Sequence, residues 1–374
     1  MKKILLTATV QSHICQFHRP LVEMLKENGE YEIHVAARDN LAEKNGLTLD
    51  FADRVFDVPF ERSPFHPKNL RAYRQLKRIL AENDYEYIHC NTPVGGVVTR
   101  IAARKARKKG SKVFYTAHGF HFYAGASKKN WLLYYPVERL LARRTDTLIA
   151  INDEDHRLAS ERFPCRVARI HGVGVSDSRY YPVSADERLA LRADLGFAPE
   201  DEIILCVGEL LPNKNQAMAI RAMAEVVKSR PNAMLLLAGN GPERDNLEGL
   251  ARACGLEDRV RFLGYCTTLE RYQRIADVGV SCSYREGLGI NLIEAMLSEN
   301  PVIGTRNRGH NELIVEGQNG YLVEADDATE LALRIVDLFA DPQKLVEMGK
   351  NGRHYADQYT FEQVKRELKR IYFA

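Results

Sequence analysis

In the run YREGLGINLIEAM, seven residues separate Glu286 from Glu294, and Gly287 and Gly289 lie just after the first carboxylate. Glycine lacks a Cβ, so such a turn lets backbone approach a ligand closely. The apolar periodicity predicts a helix from about Ile290 or Asn291, whose start offers unpaired N–H groups and a positive dipole end to a diphosphate. Glu294, expected in the first helical turn, suits ribose hydroxyls, and Glu286 in the loop suits the hydroxyls of a sugar. The combination points to a nucleotide-sugar site. An ordinary strand–loop–helix connection with a capping carboxylate would read the same way.

Other segments carry compatible chemistry. VGELLPNKNQ ends a predicted strand; Gly208 gives room for a close turn, and Lys214 stands just before a helix, where its cation can stabilise a departing diphosphate. AGNGPE is a second glycine turn feeding a helix. In RFLGY, the backbone of Phe262, Leu263 and Gly264 is placed to read a nucleobase edge. In the first half, TAHGFHFY puts His118 immediately past an apolar strand, facing a ligand, with His121 its rival in the same loop. His13, His18 and Arg19, read as the loop after the first strand, are candidate acceptor-side residues. Asp153-Glu154-Asp155 follows Asn152 and reads as a helix cap with an acidic first turn rather than a metal motif, so no metal is expected.

The elements that must position these residues follow from the pattern. A chain of 374 residues exceeds the span over which one core keeps growing, so two domains are expected. Short apolar runs (KILLTA, YEIHVAA, RVFDV, YIHC, KVFYTAH, TLIAI) alternate with helical patterns, the pattern breaks at His171–Pro182, and alternation resumes with EIILCVG, AMLLLAG, RVRFLG, VGVSC, NPVIG and GYLV. Alternation of this kind implies βαβ units and parallel sheets, an α/β fold. Thr267-x-x-Glu270 reads as a capping box, and Pro242 as a helix start. Seven scattered cysteines without C-x-x-C spacing read as buried free thiols in a reducing compartment. No run nears the ~18 apolar residues that span a bilayer, so a cytoplasmic protein is expected.

Charge is uneven: residues 1–180 hold 30 Lys+Arg against 20 Asp+Glu, a net +10, and residues 181–374 hold 23 against 30, a net −7. The basic runs NLRAYRQLKRIL and RIAARKARKKGSK read as solvated helix faces, or as a surface for anionic lipid or a phosphate-bearing acceptor. No nucleic-acid motif accompanies them. The loop after strand one lacks G-x-G-x-x-G, and neither a P-loop nor G-x-S-x-G occurs.

Together, VGELLPNKNQ, AGNGPE, RFLG, REGLGINLIEA and NPVIGTRNRGHNELIVEGQNGYLV resemble family four of the retaining nucleotide-sugar glycosyltransferases. NTPVGG, TAHGFHFY and WLLYYPVERLLAR are similar to its bacterial capsule and exopolysaccharide members. The resemblance implies a GT-B fold, two doubly wound Rossmann-like domains facing a cleft. It implies an acceptor-binding domain over 1–175, a nucleotide-sugar domain over 176–358, and a helix over 359–374 crossing back to the first. It further implies Lys214 on the donor diphosphate, Glu294 on ribose, and Glu286 on the donor sugar. Gly287, Leu288, Gly289, Ile290 and Asn291 would meet sugar and phosphate, Phe262–Gly264 uracil, and His118 the sugar. The implied reaction moves a sugar from a UDP-sugar, with no further cofactor, to a polyprenyl-diphosphate-linked glycan at the inner membrane face. Three positions depart from the family: Glu209 replaces a frequent arginine, Val10–Ser12 replaces a glycine pair, and the linker reads His171-Gly172-Val173-Gly174-Val175-Ser176. A negative Glu209 would repel phosphate unless it turns away or pairs with Lys214 or Arg306. Alternative readings are an epimerase or phosphorylase of the same fold, or a non-catalytic nucleotide-sugar-binding partner.

Overall fold

The computed structural model describes residues 1–373 apart from 28, 30, 44 and 45. It divides into two α/β units, residues 1–174 with the C-terminal helix Phe361–Phe373, and residues 175–360.

Among the described residues, the first unit is built on seven parallel strands: β1 (Lys2–Val10), β2 (Tyr31–Arg38), β3 (Arg54–Asp57), β4 (Tyr87–Asn91), β5 (Lys112–Ala117), β6 (Thr147–Ala150) and β7 (Arg166–Arg169), in the order β3-β2-β1-β4-β5-β6-β7. The last seven residues of β1 are buried, as is every residue of β4. A parallel sheet covered on both faces favours largely apolar strands such as β1, while β4 buries the polar His89 and Asn91 as well. Strand order reverses between β1 and β4, and open sheets bind ligands beyond the carboxyl ends at such a switch point. Val10 and Asn91 end there, and Ala117 ends the next strand, β5.

Three sequence readings need correction in this unit. The segment after β1 is a helix, Gln11–Phe17, with His18 as its C-cap and a second helix, Arg19–Glu27, following; His13 is therefore helical, and His18 and Arg19 flank a helix junction. The edge strand β7 was not foreseen. Arg100, within a basic run read as solvated, is fully buried, paired to Glu138 at 2.8 Å and stacked 3.9 Å over Tyr115.

The C-terminal helix packs on Arg19–Glu27, Lys365 pairing with Glu27. Tyr87 donates its hydroxyl to the Tyr372 carbonyl at 2.7 Å. The glycine in the unusual linker has a local cause: Gly174 sits at φ +84°, and a Cβ there would lie 2.8 Å from Phe361 and 2.9 Å from Pro20.

The second unit repeats the plan with six strands: β8 (Glu202–Val207), β9 (Ala233–Ala238), β10 (Val260–Gly264), β11 (Val278–Ser281), β12 (Val302–Thr305) and β13 (Gly320–Val323), ordered β10-β9-β8-β11-β12-β13. One face of this sheet buries Ile204, Leu235, Leu237 and Val280 against Met218, Met223 and Leu338 of the covering helices. Each such side chain contributes about 1.5–3 kcal/mol by leaving water. Here the order reverses between β8 and β11. The Thr267-x-x-Glu270 box does not form: Thr268 is the N-cap without a side-chain bond, and Glu270 instead accepts from Arg179 at 2.8 Å. The helix after AGNGPE starts at Arg244 rather than Pro242.

Candidate functional site

Beyond β8, the chain makes a short 3-10 turn, Pro212–Lys214, and enters the helix Gln216–Ser229 through Asn215 at φ +49°. Beyond β11 runs the loop that carries Glu286. Tyr284 N donates to Asn213 O at 2.9 Å, and Asn213 Nδ2 to Arg285 O at 3.0 Å, so the two loops are stitched across the switch point. Lys214 Nζ thereby meets Glu286 Oε1 at 2.5 Å. Burial alone would raise the Glu286 carboxyl, but the Lys214 charge and hydrogen bonds from Lys214 and Ser283 hold it below the ordinary glutamate value.

Gly289, at φ +98°, caps the helix Ile290–Leu297. That places Ile290 first in the helix, the earlier of the two expected starts, and puts Glu294 just past the first turn rather than in it. Asn291 Nδ2 donates to Val207 O at 3.1 Å and ties the helix mouth to β8. Glu294 is half-buried; desolvation lifts its carboxyl to about 7, drawn back by a hydrogen bond with Tyr180 and by the charge of Arg179. Lys214, Glu286, the Gly287–Asn291 segment and Glu294 therefore share one end of the sheet. Phe262–Gly264 end β10, which β9 separates from β8; the β9–β10 register passes over Leu263, and Gly264 O accepts from Gly239 N at 2.8 Å. Gly208 is not in a strained conformation; the close approach belongs to AGNGPE. A Cβ on Gly239 would lie 2.0 Å from Gly208 O, and one on Gly241 2.2 Å from Leu210 O.

Sequence reasoning passed over Gly309 and His310. A Cβ on Gly309 would press within 2.9 Å of Glu286 Cβ and Leu288 N, so this helix start is the floor of the glutamate loop. His310 is fully buried, and burial lowers its pKa to about 4. Its Nδ1 lies 2.8 Å from the Thr305 carbonyl and 2.9 Å from Asn307 Nδ2, and its Nε2 is buried without a partner. The only cue was a histidine in RNRGHNE. Glu209 is exposed; Lys214 pairs with Glu286, and Arg306 with Glu324 at 2.9 Å.

In the first unit, His13 Nε2 lies 3.1 Å from His118 Nε2, which is also 3.2 Å from Asn91 Oδ1. His18 stands beside both, with ring centroids 5.6 Å from His13 and 6.0 Å from His118. Burial lowers the His118 pKa to about 4 and those of His13 and His18 well below the usual imidazole value, so all three are neutral. Arg19 is exposed and reaches Glu23 at 3.5 Å, outside this cluster. His121 stacks on Tyr134 at 4.6 Å. Asn152 caps its helix by accepting from Asp155 N. The acids behind it clamp the histidine loop: Asp155 accepts from Phe120 N at 2.8 Å and Glu154 from Ala124 N at 2.6 Å.

Residues 187–355 match the family described as glycosyl transferases group 1, and residues 3–152 the glycosyl transferase 4-like family. The Bacillus subtilis protein EpsD, provisionally named a glycosyltransferase, is 44% identical over 100% of this chain and 97% of its own. A GDP-mannose-dependent phosphatidylinositol monomannoside mannosyltransferase of Mycolicibacterium smegmatis is 28% identical over 75% and 74%. An Escherichia coli UDP-Gal:α-D-GlcNAc-diphosphoundecaprenol galactosyltransferase is 25% identical over 88% and 85%. The fold superimposes on Anabaena Alr3699/HepE, solved in complex with UDP and glucose, with a TM-score of 0.81 over 99% of each chain at 23% identity.

Proposed function

Because the chain belongs to the group 1, family-four glycosyltransferases of GT-B type, we propose that it transfers a hexosyl or N-acetylhexosaminyl group from a UDP-sugar, with retention, to a lipid-linked glycan. The observation that carries this reading is the Lys214–Glu286 pair beside the glycine-capped helix mouth at the β8/β11 switch point. An incoming diphosphate competes with Glu286 for the Lys214 ammonium while helix N–H groups take further phosphate oxygens. Glu286, released from its cation, then accepts from sugar hydroxyls. Glu294 accepts from ribose, and the backbone of Phe262–Gly264 reads uracil. His118, neutral and carrying an acceptor-capable nitrogen, binds a sugar hydroxyl.

In the reaction the bond from the anomeric carbon to the β-phosphate oxygen breaks, and UDP leaves with the electron pair. The acceptor oxygen bonds to the same face, and its proton passes to the departing phosphate. Lys214 stabilises the charge that grows on that phosphate. Holding both substrates in register supplies the remainder, and no metal is needed in this scheme.

The acceptor is proposed to be a polyprenyl-diphosphate glycan of capsule or exopolysaccharide synthesis, reached by docking on an anionic membrane. Supporting this are the lipid acceptors in the names of the mycobacterial and Escherichia coli relatives and one face of the helix Lys128–Ala142. Leu132, Leu133, Val137 and Leu140 are exposed there at helical spacing, with Lys128, Lys129 and Arg143 at its ends. An apolar stripe between basic residues suits the headgroup boundary of anionic lipid. Among the described residues, no helix is long and apolar enough to cross a membrane.

The test is a panel of UDP-sugars with GDP-mannose as the competing class, incubated with a polyprenyl-diphosphate saccharide. The expected result is one added sugar by product mass from a UDP donor only, with the donor's anomeric configuration kept by NMR. Turnover with GDP-mannose alone would overturn the donor, and UDP-sugar turnover without acceptor would replace transfer by epimerisation.

A further inference from the structure

The histidine cluster of the first unit contains a feature that the transfer reaction does not explain. His18 is 4% exposed, and its Nε2 is buried without a hydrogen-bond partner. Leaving an imidazole nitrogen buried and unpaired is unfavourable, and it persists when something else compensates it. One ring nitrogen from each of His13, His18 and His118 lies within 4.8 Å of the other two. We propose that these three histidines form a binding site for a divalent transition-metal ion of the zinc class.

The geometry suits such an ion. Tetrahedral coordination with bonds of about 2.0–2.1 Å puts ligand nitrogens roughly 3.3 Å apart. His13 Nε2 and His118 Nε2 stand at 3.1 Å as a hydrogen-bonded pair, close to the spacing of two ligands on one ion, and an ion would replace that bond and the 3.2 Å contact of His118 Nε2 with Asn91 Oδ1. The third nitrogen, within 4.8 Å of the others, must close by at most about 1.5 Å to reach that spacing. All three ligands have firm supports: His13 is on the helix Gln11–Phe17, His18 caps it with its N–H on Ile14 O, and His118 follows β5.

The donor chemistry narrows the ion. Three neutral imidazoles with no carboxylate among them favour zinc, copper or nickel over magnesium or calcium, which require oxygen ligands. The nearby His89 is not a fourth ligand. Its Nδ1 is taken by the Tyr372 hydroxyl at 2.6 Å and its Nε2 by the Thr116 hydroxyl at 2.7 Å, so it forms a wall of the small cavity it shares with His18, Phe17 and Leu21. Three protein ligands leave one coordination position for water. A bound ion occupies the His118 nitrogen, so loading the site withdraws it from any sugar hydroxyl.

The experiment is calorimetric titration of zinc chloride into the untagged full-length chain, repeated with cobalt(II) to read the visible bands of a tetrahedral nitrogen site, and with magnesium chloride. The expected result is one zinc per chain at micromolar concentration or tighter, cobalt bands on loading, and no magnesium uptake. His13→Gln, at a half-buried position, should weaken zinc at least about tenfold while keeping the melting temperature of the metal-free chain, and His18→Gln should do the same. Zinc uptake only at millimolar concentration, or equal uptake by wild type and His13→Gln, overturns the proposal. Neither result depends on the nature of the sugar donor, so this site and the transferase reading fail separately.

Discussion

At the carboxyl ends of β8 and β11 the resting site holds a full ion pair, Lys214 with Glu286, whereas beyond β1 and β5 three imidazoles face one another, all kept neutral by burial. Both lie at the reversal of a parallel sheet, so topology selects the place but not the chemistry. A paired ammonium can exchange one anion for another, and its own carboxylate then becomes free to accept hydroxyls. Neutral imidazoles offer lone pairs and no charge, so they suit hydroxyl groups or a metal ion and give little hold on a diphosphate.

Substitutions can break that contrast. The largest effect is expected from Lys214→Ala, which should lower kcat by about 10²–10³-fold as the leaving diphosphate loses its cation. Single-turnover rates at saturating donor measure it; a wild-type rate would remove Lys214 from the reaction. Glu294→Ala should weaken UDP by about 10–100-fold, the worth of hydrogen bonds to a charged group, with a smaller change in kcat. His118→Ala should cost only about three- to tenfold in kcat/KM, one neutral hydrogen bond. An effect of His118→Ala as large as that of Lys214→Ala would erase the distinction between a charged and a neutral site.

A pH series sharpens it further. Folded Glu294 keeps its proton up to about 7, while an unfolded glutamate releases it near 4.3. Its contribution to stability is therefore present below the unfolded value and is lost as pH rises through 7. If ribose hydroxyls donate to the ionised carboxylate as proposed, UDP affinity runs the other way. It should rise between pH 6 and 8 by at most about tenfold per unit, and Glu294→Gln should flatten the slope. Calorimetry across that range, in buffers of different ionisation enthalpy, reads both the slope and the proton released.

Much of this was legible in the sequence where one physical demand dominates. Buried parallel strands need continuous apolar runs, so KILLTA and AMLLLAG declared themselves; the edge strand β7, RVAR, is held by register with β6 and carries charge at both ends. Glu286 and Lys214 were visible because glycine turns and helix starts mark sheet ends. Glu294 falls just past the first turn because the helix begins at Ile290, the earlier of the two expected starts. The helix Gln11–Phe17 has no side-chain cap at Val10 and so carried no start signal. Long-range contacts left no trace either: nothing in AGNGPE says that Gly239 must clear the Gly208 carbonyl, and nothing near His310 says that it underlies Gly289.

The central claim is that the 175–360 unit grips a uridine diphosphate through Lys214, Glu286 and the helix mouth at Gly289. Titrating UDP into wild type, Lys214→Ala and Glu294→Ala tests it most directly. The account predicts saturable one-to-one binding by wild type that both substitutions weaken at least tenfold. Equal UDP affinity in all three proteins, or no binding by any, would contradict it.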